Sequence, residues 1–457
     1  MSARLLIVAL DGADGRLLDR WSTDGTLPNL TDLRSRGAAK QLSAPDGITD
    51  DGLWASFEYA AELGEHGRYH WYQRIESGEM AMAYLGEAGK DAFWETLSRQ
   101  GSRVAIFDIP KCGLPTPVNG IHLVDWLVHG RYFHEPKSTP EPLAAEVTER
   151  FGIAPPSQCG YEQQELTDAE VSEIESNLRT SVSQKKAAGL HYLSREKWDL
   201  FMIAFKESHC AGHSLWQSSD ALGLDDNVQG DIRVAPSLKT IYTDLDAAVG
   251  ELIDAAGPEA SVIAFCTTEM EPNSTLSHLM PEIINRINKH LGESLFGREA
   301  RRAWSRITKC QAQRPCELLP YNENCTALRI NPTWKAMHHL TGNTGDKGLM
   351  LDEVESILTS LLDADTGQAV VAAIDRPSAE YAGKNRAQLP DLLVQYAVGT
   401  FPRAISSSKL GEIEADRPCI RPGNHAPGGL LIHSDLDASD VFGMQNIGHL
   451  ASKVLHD

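Results

Sequence analysis

Short apolar runs recur along this chain, and stretches with helical spacing separate them. Residues 5–10 (LLIVAL) read as a buried strand ending at Asp11-Gly12, and residues 28–36 as a helix with Pro28 at its start. Residues 92–99 predict a helix and 103–109 the strand after it. A long helical region covers about residues 167–196, and residues 200–205 (LFMIAF) form a strand. Residues 236–256 are helical, and 262–265 (VIAF) form another short strand. Strands are also expected at 369–374, 392–396 and 430–432, and a helix from Ile447. This alternation predicts an α/β fold: a large, doubly wound, mostly parallel sheet with helices on both faces. Residues 282–347, rich in Arg, His, Asn and Trp, keep a weaker period and predict an inserted cap. The core would then comprise residues 1–281 and 348–457.

The chain has 457 residues and can bury a large core without disulfides or metals for stability. Its formal net charge of −21 argues against nucleic acid or an anionic membrane surface as partner and leaves a small molecule as the expected one. No window reaches the ~18 apolar residues of a membrane span. The eight cysteines include no CxxC pair, which disfavours a zinc ribbon. With no basic segment followed by an apolar leader at the start, the expected setting is cytoplasmic, with reduced thiols.

Polar residues stand just past several predicted strand ends: Asp11, then His209 and His213, then Thr267, Thr268 and Glu269. His425 stands just before the strand at 430–432. Sites in open α/β sheets collect at the carboxyl ends of strands, so these distant segments can converge. His209 and His213 are four apart. On a helical turn both rings project the same way and can share a metal, the plain alternative being surface or capping histidines. For His425, flanked by Gly and Pro, the alternative is a solvated loop. Asp11 can equally cap the following turn. Asp50 and Asp51 can be the N-cap and first-turn acid of a helix through Trp54. Glu269 and Glu271 are either oxygen ligands or solvated acids. Cys210 and Cys266 read by default as small buried hydrophobes. His433 and His449 read as structural, and His338-His339, in the expected cap, as surface, the alternative being that they face a substrate.

The opening LLIVALDGADGRLLDRW…GTLPNLTDLRSRG resembles the start of the type I phosphodiesterase/nucleotide pyrophosphatase family of the alkaline phosphatase superfamily. FWETLSRQGSRVAIFDIPKCGLPTPVNGIHL, WDLFMIAFKESHCAGHSLW, TALRIN, LPDLLV and GNHAPGGLLI resemble its later segments, in family order, to about residue 433. The resemblance implies that family's fold and two zinc-like metals that clamp the attacking and leaving oxygens of a phosphoryl transfer.

The departures from that pattern bear on activity. Asp11 is kept. The family's nucleophile segment reads DDGLWAS, which puts Asp50 at the nucleophile position with Thr49 one residue off. His209 stands where the family's first metal motif has Asp, while His213 and His425 are kept. The Asp-His pair of the second metal falls on Thr267 and Thr268, which are poor ligands. The resemblance therefore implies one divalent transition metal on His209, His213 and His425, zinc first and iron next. Asp11, Asp50 and Glu269 would stand beside it as weaker ligands, a base or a second-metal site. Three imidazoles and an open position suit activation of water for hydrolysis of a small-molecule phosphoester or related ester. They also suit non-hydrolytic iron or copper chemistry. A catalytically dead ligand-binding protein is the third alternative.

Overall fold

The computed structural model describes residues 3–75, 78–82, 90–129, 133, 135–156, 159–163, 165–216, 236–294, 314–322, 324–331 and 347–456. Cys310, His338 and His339 lie outside them. The chain divides into two compact units, one of residues 1–71, 82–272 and 419–457, the other of 72–81 and 273–418.

The first unit is built on a nine-stranded sheet. Its strands are β1 (Ala3–Asp14), β2 (Gly37–Gln41), β3 (Val104–Phe107), β4 (Gly120–Val124), β5 (Lys137–Thr139), β6 (Trp198–Phe205), β7 (Ser261–Pro272), β8 (Gly423–Ala426) and β9 (Leu430–Ser434). The order is β2-β9-β7-β1-β6-β3-β4-β5, with β8 pairing β7 off this path. The five strands from β7 to β4 run parallel, and β2, β9, β8 and β5 join antiparallel. Alternation along β1 shows why both faces are covered. Leu6, Val8 and Leu10 enter one apolar core, while Leu5, Ile7 and Ala9 enter the other. The helices packed on these faces include α1 (Gly15–Asp24), α2 (Pro28–Ser35), α3 (Asp51–Tyr59), α4 (Asp168–Arg195), α5 (Glu207–Leu215), α6 (Pro236–Ala256) and α7 (Met444–His456).

Register gathers the strand ends. Leu10 of β1 pairs with both Phe205 of β6 and Cys266 of β7. Asp11, the start of α5 and Thr267 therefore lie at one level. β1 and β7 both continue past that level, with a register shift between Leu10 and Asp14. The turn expected at Asp11-Gly12 is thus strand, and the cap of α1 is Asp14, which accepts from the Leu17 amide at 2.8 Å. β7 runs on to Pro272, where β8 pairs with it and sets His425 opposite Met270.

The second unit has its own core, including Leu328, Val354, Ile357, Leu392 and Val394. Its four-stranded antiparallel sheet takes Leu392–Tyr396 between Cys325–Ile330 and Val371–Asp375. The strands expected near 369–374 and 392–396 exist, but they pair here and not in the main sheet. Residues 348–418 therefore belong with the segment before them, and the second unit is larger than the cap expected at 282–347.

Candidate metal centre

α5 starts one residue after β6, and all of its residues are buried. Its first turn is tied to β1 by Ser208, whose hydroxyl donates to the Asp11 carbonyl at 2.7 Å. At Gly12 (φ +62), a Cβ would stand 2.7 Å from His209 Cα, so only glycine lets β1 pass this close to the helix. β8 approaches the same helix. A Cβ on Gly423 would stand 2.2 Å from the Gly212 carbonyl oxygen, and the Gly423 carbonyl accepts from His213 Nδ1 at 2.8 Å.

These approaches bring His209, His213 and His425 together. One ring nitrogen from each lies within 4.8 Å of the others, and all three rings are buried. His425 sits in β8, not in a solvated loop. A carbonyl only accepts, so His213 carries its proton on Nδ1 and presents a bare Nε2. That Nε2 lies 3.1 Å from His425 Nε2, and Thr268 Oγ1 lies 3.2 Å from His425 Nδ1. Burial, with Arg421 near His213 and with His209 and Lys111 near His425, pushes both rings well below the ordinary histidine value. Both rings are therefore neutral. Zinc–nitrogen bonds of about 2.0–2.1 Å put two tetrahedral ligands about 3.3 Å apart, close to the spacing here. The donor set fits one divalent transition metal.

Asp11 and Asp50 join this cluster, forming with His209 a second group within 4.8 Å. Asp11 Oδ1 accepts from Trp54 Nε1 at 2.8 Å, while its Oδ2 stands 3.3 Å from His209 Nδ1 without hydrogen-bond geometry. Burial alone would raise the Asp11 carboxyl. His209, Lys111 and His129 outweigh it and hold the group well below the usual carboxylate range. Asp50 occupies the cap position of α3 but makes no capping bond. Its backbone is left-handed (φ 46), and its carboxylate pairs with buried Lys111 and stands 3.7 Å from His425 Nε2. Asp51, the first residue of α3, lies 3.3 Å from Lys111 Nζ. Thr49 is buried beside them.

Glu269 is not brought in. It lies 3.3 Å from Arg16 Nε, beside Asp14, and burial raises its carboxyl despite the arginine. Strand alternation is the reason. β7 turns Thr268 toward His425, and its neighbours Thr267 and Glu269 face away from that side. A second, hard-oxygen ion is not supported by Thr267 and Thr268, which are neutral hydroxyls.

Three residues at this centre were not anticipated. Lys111 and His129 follow β3 and β4, both in left-handed conformations (φ 61 and 58). They carry the same signal as Asp11, a polar side chain beyond a buried strand. Cys159 precedes α4 at no strand end, and its Sγ lies 3.2 Å from His129 Nδ1. Hydrogen bonding with Cys210, against burial, and the nearby His129 pull the Cys159 thiol well below its ordinary value.

A doubly wound sheet with a cluster of buried imidazoles and carboxylates that could hold a metal at its carboxyl edge defines an alkaline-phosphatase-like α/β protein. Residues 5–409 match the model of the type I phosphodiesterase/nucleotide pyrophosphatase family, and the chain belongs to that family. Among curated proteins no match was found. The fold is similar to phosphonoacetate hydrolase from Sinorhizobium meliloti 1021 in complex with phosphonoformate, with a TM-score of 0.58 at 12% identity, over 99% of this chain and 96% of that one. It is also similar to the inactive form of murine ectonucleotide pyrophosphatase/phosphodiesterase 5 in complex with AMP, with a TM-score of 0.53 at 11% identity, over 99% of this chain and 95% of that one. No described helix is long and apolar enough to cross a membrane.

Proposed function

We propose that this protein is a metal-dependent, hydrolase-like enzyme acting on a phosphoester or related ester of a small molecule. One divalent transition metal, zinc first and iron next, would be held by His209, His213 and His425. The observation that carries the reading is the convergence of three buried imidazoles from α5 and β8 within 4.8 Å. Family membership supplies the reaction class. A metal bound there would supply Lewis acidity toward a phosphoryl or carbonyl oxygen.

The chain's own groups divide the remaining work. Gly423 and Thr268 orient His213 and His425. Trp54 holds one oxygen of Asp11 and leaves the other toward His209. Asp50, at the nucleophile position, keeps one oxygen buried without a hydrogen-bond partner among the described residues, and serves as base or extra ligand. Lys111 contributes a fixed positive charge beside Asp50 and Asp51, where the family's second cation is missing its Asp-His ligands. A reducing, cytoplasmic setting belongs to the proposal, supported by seven described cysteines in no disulfide.

Elemental analysis of metal-replete protein tests the reading, followed by a panel of small phosphoesters and related esters. One transition metal per chain, with turnover abolished by His213→Ala, is expected. Protein that retains no transition metal sinks it.

A further inference from the structure

Beside the three-histidine cluster lies a second set of donors of different chemistry. His129, Cys159 and His209 each offer a ligand atom, these atoms lie within 4.8 Å of one another, and all three residues are buried. Cys159 Sγ is 3.2 Å from His129 Nδ1, and the rings of His129 and His209 are 3.9 Å apart between centroids. The donors come from three separate segments: the loop after β4, the irregular stretch before α4, and α5.

A buried cysteine usually packs as a small hydrophobe, and a thiol–imidazole hydrogen bond needs no ion. Two observations weigh against that explanation. First, His129 is held in left-handed backbone, as are Asp125 and Leu127 before it, although no glycine eases the conformation. Non-glycine residues in such conformations are strained and cluster at functional sites. Second, the stretch carrying Cys159 is pinned from outside. Arg421 donates through Nη1 to the Cys159 carbonyl at 3.2 Å and through its own amide to the Tyr161 carbonyl at 3.1 Å. The backbone of both segments is thus committed to presenting a thiol and an imidazole to His209.

We propose that His129, Cys159 and His209 form a second metal position, for a thiophilic divalent ion, adjoining the three-histidine one. One sulfur and two nitrogens suit zinc or cadmium and disfavour magnesium and calcium, which take oxygen ligands. The position shares His209 with the three-histidine reading but does not depend on it. One ring nitrogen carries one lone pair, so an ion at Cys159 takes His209 away from His213 and His425 unless the ring bridges as imidazolate.

Cadmium(II) titration of the intact protein, followed by near-ultraviolet thiolate-to-cadmium absorbance, tests this. The wild type should develop the band with one equivalent, Cys159→Ser should lose it, and Cys210→Ala should keep it. His129→Asn should keep the band at saturation but weaken cadmium binding at least ~10-fold; it also decides the matter if Cys159→Ser does not fold. No band in the wild type, a band that survives Cys159→Ser or follows Cys210, or unchanged affinity in His129→Asn overturns the proposal. His213→Ala separates the two readings. It should keep the cadmium–thiolate band while losing turnover of the phosphoester panel. Unchanged turnover in that variant would sink the three-histidine reading and leave this one standing.

Discussion

Lys111 meets the carboxylate of Asp50 in the interior, with 4% and 9% of the two side chains exposed. Removing one partner of a buried pair strands the other charge and costs about 3–5 kcal/mol, whereas replacing both can be near neutral. Lys111→Met should therefore destabilise the protein by about that amount. Lys111→Met with Asp50→Asn should recover a large part of it, Asp51 retaining the remainder. Denaturant unfolding of the four forms measures the coupling. A double variant no more stable than Lys111→Met would show that the pair is not what holds this corner.

Alanine at His209, His213 or His425 should each remove most of the bound transition metal. Alanine at His433, whose Nδ1 is engaged by the Ser434 carbonyl, or at His449 should leave it in place. His209→Asp restores a carboxylate and should retain some metal while shifting preference toward harder ions. Inductively coupled plasma analysis reads all six. Full metal in His209→Ala would reduce that residue to packing.

His122 gives a pH signature. It is buried against Trp94, neither ring nitrogen has a hydrogen-bond partner among the described residues, and burial pushes its value down to about 3. The unfolded chain, titrating near 6.5, binds a proton that the folded state refuses. Stability should fall as pH drops from 6.5 toward 3, by about 1.4 kcal/mol per pH unit for this group. Glu58 works in the opposite sense: burial, against Arg68, pushes it up to about 7, so its contribution is lost as pH rises through that value. Urea midpoints of wild type and His122→Leu between pH 7 and 4 isolate the histidine. The variant's slope should be shallower by one proton; parallel slopes would refute the assignment.

Gly12 and Gly25 share a left-handed backbone (φ +62 and +84), but only Gly12 has neighbours that a Cβ would strike. Gly25→Ala should cost about 1 kcal/mol. Gly12→Ala should cost more than ~3 kcal/mol, because β1 and α5 must separate, and it should lower metal content as His209 moves. Thermal unfolding with metal analysis distinguishes them. Equal effects would mean that the close approach is slack.

Strands β1, β3, β6, β7 and β9 of the main sheet were legible because each holds a continuous apolar run, whereas β2, β4, β5 and β8 mix polar residues into theirs and were not expected. Leu10, Phe205 and Cys266 end level, so residues flagged one by one as strand-end polars meet in space. What failed was alternation beyond that level. Past the run at 262–265 the sequence specifies no face, so Glu269 reads as ligand or solvated acid, whereas β7 continues and assigns it to Arg16. Lys111 and His129 carry the same signal as Asp11, a polar side chain beyond a buried strand, but no family motif for metal or nucleophile marks them. Cys159 has no local signal at all, since its place is set by Arg421, far along the chain.

The pairing of β8 and β9 also sets a timetable. β2, near the beginning of the chain, pairs only with β9 among the described strands, and β9 inserts between β2 and β7. Loop closure over most of the chain is slow, and parallel strands wait on their crossovers. During synthesis the segment with His209 and His213 emerges long before His425, so a nascent chain holds two imidazoles of the three and leaves an early strand unzipped. For the proposed metal site, capture of the ion and closure of the sheet would then be the same late event. Metal starvation should be felt in the cell first as slow maturation and proteolytic loss of newly made chains, before any effect on molecules already assembled.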